Sequence, residues 1–369
     1  MERKIESRQI TSIISMFMIA QLLGLLLTIV SYSPFASYAA QASMQQTGAV
    51  SSIVSFIMNV AVIVVIIVFI LLILNFRRGD VLYRLLEAYI ILLGSFFLFL
   101  ILLGDFLPAS DIAEIAVASG ILALLVLLFK QKTNRFRNLV TMITVIGVGV
   151  FFGVSLGISV GFIWLYLFFA ALAVYDYLAV FVLKFMIPFA REVSNRNLAF
   201  LIGSSDVELI PLHELSLKDR AEYRKEKKKL GLKSIKDPAV KRLIQEGNVP
   251  AVSSIMLGNG DIMLPMMLTV GVYALYGSLF VCLIMVLGAV AGLYVTMLLL
   301  KRYNVGLPAI PPLFTFMSIA LFIAFLIKGI GSSSILLLFI LAAAISIGAM
   351  LITLKRMRTS MQNLSSRKA

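Results

Sequence analysis

The sequence is poor in the residues that carry metal, disulfide and imidazole chemistry. Among 369 residues it has one cysteine, Cys282, and one histidine, His213. Structural zinc sites and disulfide frameworks each need several such residues, so both are excluded. Cys282 lies within an apolar run, where a lone cysteine behaves as a small hydrophobic side chain. His213 lies in a polar stretch far from the apolar runs, which argues against a catalytic role.

Charged residues are also scarce. Only 14% of the residues are charged and 61% are hydrophobic, whereas a soluble domain carries about 25% and 45–50% respectively. An ordinary soluble enzyme is therefore excluded. The apolar residues form uncharged runs of about 20 residues, the length of helix that crosses ~30 Å of hydrocarbon. The sequence predicts an all-α fold, a polytopic bundle of transmembrane helices with the lipid bilayer as its partner.

We predict ten such helices. They span approximately 10–31, 51–75, 84–107, 111–129, 138–157, 160–187, 250–272, 274–300, 307–327 and 334–354. The formal net charge is +14, but Lys and Arg cluster in alternate connections between the runs, a pattern that sets membrane orientation. The charge therefore indicates topology rather than nucleic-acid binding, and it predicts a cytoplasmic N-terminus. The first run also resembles a cleaved signal, but it is longer than the usual signal core, which favours a retained helix.

The connection between the sixth and seventh runs divides the chain into three parts. Residues 1–187 hold helices one to six, residues 188–249 form a basic loop that we predict to be cytoplasmic, and residues 250–369 hold helices seven to nine, a tenth helix and a basic tail. The loop is interpreted as a solvated linker that touches anionic headgroups. A platform for a regulatory partner is the alternative.

Two carboxylates lie well inside apolar runs. A charge at the centre of a bilayer costs at least ~2.5–3.5 kcal/mol, so Asp176 and Asp261 are both candidate functional residues. Each lies about 11 residues from the cytoplasmic end of its run, or ~16 Å along a helix. Because the sixth and seventh helices are consecutive and antiparallel, we expect the two carboxyl groups to face each other.

Two neighbouring carboxyl groups in a low dielectric share one proton, since like charges repel and burial disfavours ionisation. This state suits aspartyl hydrolysis. The ionised group takes a proton from a water molecule, while the protonated group donates to the scissile carbonyl oxygen. The chemistry requires no metal and no cofactor.

Helix-breaking residues accompany the acids. Gly258 and Gly260 precede Asp261 and weaken a helix there, and Pro265 removes a further helical hydrogen bond. The ninth run begins GLPAIPPL, which predicts an extended or kinked segment. The backbone polar groups of such a segment must find hydrogen-bond partners in the protein or in a water-filled cavity. Alternatively, the glycines only permit close helix packing and the prolines only kink a helix start.

Three short motifs fall on helices six, seven and nine. They are Tyr175-Asp176, Gly258-Asn259-Gly260-Asp261 and Pro308-Ala309-Ile310. In this order the chain resembles the presenilin and signal peptide peptidase family of intramembrane aspartyl proteases, which carries YD, GxGD and PAL motifs on those helices. The third motif departs from the family pattern by having isoleucine in place of leucine, and the predicted tenth helix exceeds the family's nine.

The resemblance implies a role for each motif. Asp176 and Asp261 would be the catalytic pair, and Tyr175 would shape the site. Gly258 and Gly260 would form a flexible entry to the second acid, whereas Pro308, Ala309 and Ile310 would position the site and guide the substrate. Asn259 and Leu307 would also help to shape the active site. Substrates would be proteins with a transmembrane helix. An archaeal member would act in the cell membrane without obligatory subunits.

A proton-coupled transporter is the competing interpretation. It too would use membrane aspartates and helices interrupted by glycine and proline. However, the sequence has no inverted repeat that places Asp176 and Asp261 at corresponding positions of two halves. The combined motifs therefore favour the protease.

Overall fold

The computed structural model describes residues 7–31, 79–106, 112–129, 134–182, 201–211, 248–303, 308–330, 333 and 335–348. The helices within these ranges are α1 Ser7–Val30, α2 Gly79–Phe106, α3 Ile112–Phe129, α4 Asn134–Val160, α5 Phe162–Tyr177, α6 Asn259–Tyr276, α7 Leu279–Tyr303, α8 Ile310–Lys328 and α9 Ile335–Gly348. Strands β1 Leu201–Pro211 and β2 Asn248–Gly258 pair in a two-stranded sheet. The predicted second helix at 51–75 lies outside the described residues.

The described chain divides into two compact units. One contains most of the sheet, within Gly203–Met256, together with the residues up to Ile13; the other comprises Ile14–Ile202 and Leu257–Ala369 and contains the helical bundle. Six of the described helices are long and apolar enough to cross a membrane. Many of their large apolar side chains are exposed, among them Leu26, Leu287 and Ile327, as expected for surfaces that face lipid. The predicted polytopic helical fold is confirmed.

The seventh helix begins later than predicted. Residues 248–258 form β2, and α6 starts at Asn259, so the start at about 250 and the depth of about 11 residues for Asp261 are both wrong. The local sequence explains the difference. Pro250 cannot donate a backbone hydrogen bond within a helix, the β-branched residues of this stretch favour strands, and Gly258 opposes helix formation. Asp261 therefore lies in the first turn of α6.

Helix α6 is the centre of the bundle. It packs against α4, α5, α7 and α8, and every residue from 265 to 272 is buried. Such all-round burial is typical of a central core helix. The second carboxylate motif is thus carried by a helix that is enclosed by others in this unit.

Glycines on α4 allow that helix to approach α6 closely. Gly149, Gly153 and Gly157 are spaced four residues apart, so they lie on one face. A Cβ atom at Gly153 would lie 2.7 Å from the Met267 carbonyl oxygen, and one at Gly157 would lie 2.9 Å from the Cα of Gly271. Small residues that let backbones touch are how membrane helices associate without a hydrophobic driving force.

A single residue joins α4 to α5. Gly161 has φ 78°, in the left-handed region that glycine enters without the steric cost of a Cβ atom. Its N–H donates to the Gly157 carbonyl at 3.0 Å. This carbonyl in the last turn of α4 therefore keeps a hydrogen-bond donor where the chain turns into the helix that carries Asp176.

The predicted tenth helix is present as α9. It packs on the bundle through Phe339, which is fully buried and contacts the rings of Phe162, Tyr166 and Phe325. The described part of α9, Ile335–Gly348, rises ~21 Å. The predicted end at 354 lies outside the described residues.

Replacing Gly153 by valine should separate α4 from α6. The new side chain would meet the Met267 backbone, and overpacking of this kind costs about 3 kcal/mol. A matched control is Gly120→Val on α3, where a Cβ atom meets nothing within 4 Å. Thermal unfolding in detergent, followed by circular dichroism, should show a lower midpoint for Gly153→Val alone. Equal midpoints for the two variants would contradict the close α4–α6 contact.

Candidate active site

Asp176 lies where a regular helix ends. Helix α5 stops at Tyr177 and continues as one π-helical turn, Leu178–Val182, a local widening that is frequent at functional sites. The Asp176 side chain is 6% exposed. A carboxylate buried in apolar surroundings is costly unless it is hydrogen-bonded, so Asp176 needs donors from another element.

The amino end of α8 supplies those donors. The Ile310 N–H donates to Oδ2 of Asp176 at 3.1 Å, and the backbone of Ala309 also faces this carboxyl group. The next two residues are prolines without N–H groups, and the Leu313 N–H donates to the Ala309 carbonyl at 3.3 Å. The amino end of a helix favours negative charge. The proline segment is therefore a helix start whose remaining N–H is directed at the acid.

Asp261 lies at another helix start. Its carboxyl group interacts electrostatically with Asp176 and faces the backbone of Gly258, the residue that precedes α6 with φ −67° and ψ 145°. A Cβ atom at Gly258 would lie 3.1 Å from Oδ2 of Asp261, whereas one at Gly260 would meet nothing within 4 Å. Of the two glycines, only Gly258 is closely approached by the acid, so a side chain there would shift the Asp261 carboxyl group.

The remaining predicted residues lie on the same elements. Tyr175 is half-buried and interacts electrostatically with the neighbouring Asp176. Asn259 is the first residue of α6, and Pro308 and Ala309 are buried directly before α8. Leu307 lies outside the described residues. The structure brings together Asp176, Asp261 and the backbone at Ile310, and their roles in catalysis stay a prediction.

Sequence reasoning missed a hydrogen bond that joins α5 to α8. Oγ of Ser318 donates to the Phe314 carbonyl at 2.8 Å, so its single proton is used. The hydroxyl of Tyr166, 2.7 Å from the same Oγ, must then be the donor to it. Both residues are polar groups within apolar runs, and this is the sequence feature that could have marked them. Their pairing depends on how the two helices pack.

An apolar cavity of about 540 Å³ borders the site. Helices α5, α7, α8 and α9 form its walls, including Ala173 and Tyr177 near Asp176 and Pro308 and Pro311 near Ile310. Only a few polar groups line it, such as Thr296 and Ser346. The acids are thus flanked by a space suited to apolar side chains.

Within the described ranges, no three His, Cys, Asp or Glu side chains are grouped so that they could hold a metal ion. The chemistry available to the site is that of two interacting carboxyl groups, one of them bound by backbone N–H groups. Such a pair can hold one shared proton and activate a water molecule. The fold and site define a class, a polytopic helical membrane protein with two interacting carboxyl groups at irregular turns of its helices, one buried and one half-buried.

Comparison with known proteins identifies the family. A family model for signal-peptide peptidase and presenilin aspartyl protease matches residues 14–330. The chain therefore belongs to the signal-peptide peptidase and presenilin family, whose members are intramembrane aspartyl proteases. No curated protein matches it. Among solved structures it is similar to a presenilin family intramembrane aspartate protease, with 16% identity, a TM-score of 0.47, and coverage of 86% of this chain and 99% of that one.

Two variants should separate the partners of the α5–α8 hydrogen bond. Tyr166→Phe removes a donor while Ser318 keeps its bond to Phe314, so it should cost about 0.5–1.5 kcal/mol. Ser318→Ala leaves the buried Tyr166 hydroxyl without an acceptor and should cost more, about 1–3 kcal/mol. Unfolding midpoints in detergent measure the order. A larger loss for Tyr166→Phe would contradict the assigned direction of donation.

Proposed function

We propose that the protein is an intramembrane-cleaving aspartic endopeptidase that hydrolyses peptide bonds within transmembrane helices of its substrates. The observation that carries the proposal is the electrostatic interaction between the Asp176 and Asp261 carboxyl groups, which lie beside irregular turns of α5 and α6, with Ile310 of the third motif donating to Asp176. One carboxylate takes a proton from the attacking water, and the partner acid donates a proton to the scissile carbonyl oxygen.

The site must also open its substrate. A helix in lipid is stable because its peptide groups are paired internally, so cleavage requires local unwinding. Strand β2 runs into the first turn of α6 and ends at Gly258, three residues before Asp261. The unwound stretch of a substrate adds as a strand at this glycine-rich segment, which gives its backbone new hydrogen-bond partners. The proline segment before α8, which belongs to the third motif, guides the substrate towards the acids.

The expected setting follows from the family and the charge pattern. The protein acts in a cell membrane, with the N-terminus and the loop at 188–249 cytoplasmic, and it resembles archaeal members that act without obligatory subunits. Its partners are then the lipid bilayer and membrane-protein substrates, with no nucleic acid involved. No metal or cofactor enters the reaction.

The proposal is tested by replacing each acid with its amide. Asp176→Asn and Asp261→Asn should each lower cleavage of a transmembrane-helix substrate by at least about a thousandfold, because the one remaining carboxyl group cannot act as both base and acid. Mass spectrometry of the peptide products from purified protein in detergent measures the loss. Glu114→Gln, an acid-to-amide change at an exposed position in the first turn of α3, should leave cleavage unchanged.

Cleavage that persists in either aspartate variant would contradict the assignment. If the wild type cleaves no substrate, but drives proton-coupled solute uptake in liposomes that needs the same aspartate, the protein is a transporter.

The two glycines before Asp261 should differ in sensitivity. Gly258→Ala places a methyl group 3.1 Å from Oδ2 of Asp261 and must displace the carboxyl group, so kcat should fall by about tenfold or more. Gly260→Ala enters open space and favours the helix, so its kcat should stay within about threefold of wild type. Steady-state kinetics on one substrate measures both. Equal losses would show that the spacing at Gly258 does not set the position of the acid.

A further inference from the structure

Helix α1 places one buried amide against α6. Gln21 lies in the apolar run of α1 and is 1% exposed. Its Nε2 donates to the carbonyl oxygen of Ile262 at 2.8 Å. Ile262 is fully buried and directly follows Asp261, so this contact reaches the backbone of the turn that carries the acid.

The first turn of α6 is weakly held by its own hydrogen bonds. Pro265 has no N–H, so the carbonyl of Asp261 lacks its usual helical donor, and the proline ring crowds that same carbonyl. Gly258, which precedes the helix, provides no side-chain cap. In a membrane, a donor from a neighbouring helix can stabilise a turn that proline has disrupted. Gln21 is such a donor, and it acts at the next carbonyl of the same turn, that of Ile262.

A second contact fixes α1 at the next turn of α6. Gly24, one turn after Gln21, leaves space for Met266: a Cβ atom at Gly24 would lie 2.5 Å from the Met266 sulfur. On α4, a Cβ atom at Gly149 would lie 2.9 Å from the same sulfur. Met266 is therefore enclosed by two helices, and Gln21 is held in register with the Ile262 carbonyl.

Stability alone does not account for this amide. Its other end, Oε1, is buried and has no hydrogen-bond partner among the described residues, and an unsatisfied buried acceptor is costly. An apolar side chain of the same length would fill the site without that cost. Local rules are broken in this way mainly at functional sites.

We propose that Gln21 is a positioning residue that holds the first turn of α6, and through it the Asp261 carboxyl group, in the geometry needed for hydrolysis. The inference rests on the proposed function of Asp261. Gln21 acts through the backbone at Ile262 and takes no part in proton transfer.

Three variants test this role. Gln21→Met keeps the length of the side chain but removes the donor, and Gln21→Asn keeps the amide but is one methylene too short to reach Ile262. Thr28→Val is the matched control, because it removes a buried hydrogen bond of α1, to the Gly24 carbonyl at 2.8 Å, that stays within that helix. The measurements are kcat and KM, the unfolding midpoint, and amide hydrogen exchange of residues 259–266.

Both Gln21 variants should lower kcat by about tenfold or more and leave KM within about threefold, because substrate binding is unchanged while the acid is misplaced. The midpoint of Gln21→Met should be equal to or above that of wild type, which a merely structural residue would not show. Amides of 259–266 should exchange about fivefold faster or more, with α7 unchanged. Thr28→Val should keep wild-type kcat and exchange.

A kcat of Gln21→Met within about twofold of wild type, or unchanged exchange at 259–266, would overturn the proposal. A loss of kcat in Gln21→Met that is matched by Thr28→Val, or that accompanies a lower midpoint of Gln21→Met, would also overturn it and assign Gln21 to folding. If wild type cleaves no substrate, the protease function fails while the exchange experiment still decides the positioning role, since faster exchange in Gln21→Met supports it and unchanged exchange refutes it.

Discussion

A backbone polar group inside a bilayer must find a partner within the protein, and this constraint shapes the whole site. The chain interrupts regular helix at three places near the two acids, at the π turn after α5, at the start of α6 and at the start of α8. Each interruption leaves groups that a continuous helix would have paired. The Ile310 N–H meets this need by donating to Asp176. In the first turn of α6, Pro265 leaves the Asp261 carbonyl without its helical donor, and Gln21 donates to the adjacent Ile262 carbonyl.

The benefit is mutual, because each carboxyl group gives an acceptor to the backbone at a helix start, and that backbone stabilises the carboxyl group. Asp176 alone would be a buried carboxyl group in apolar surroundings, but the amino end of α8 supplies an N–H and a favourable local field. Asp261 lies within the first turn of its own helix, where the same effect favours it. Rigid packing keeps these ends in place: glycine contacts hold α4 against α6, and the Tyr166–Ser318 hydrogen bond joins α5 to α8.

Much of the fold could be predicted because the bilayer sets element length. Runs of about 20 apolar residues predicted α1, α2, α3, α4, α5, α7 and α8 near their observed positions. The predicted start of the seventh helix was wrong because hydropathy does not distinguish a buried strand from a helix. The stretch from Pro250 to Gly258 is apolar enough for either structure. The order of three short motifs indicated the family, which the family match over residues 14–330 confirms.

By itself, the sequence determined the environment, the helical class, the family and the two acids that stand out in apolar surroundings, because each is a property of composition, run length or local motif. Tertiary structure alone decided which groups meet: that Ile310 donates to Asp176, that Tyr166 donates to Ser318, and that Gln21 reaches the turn of Asp261. These contacts join residues more than a hundred positions apart. Only the packing of helices, set by glycine contacts and side-chain shape, determines such pairs.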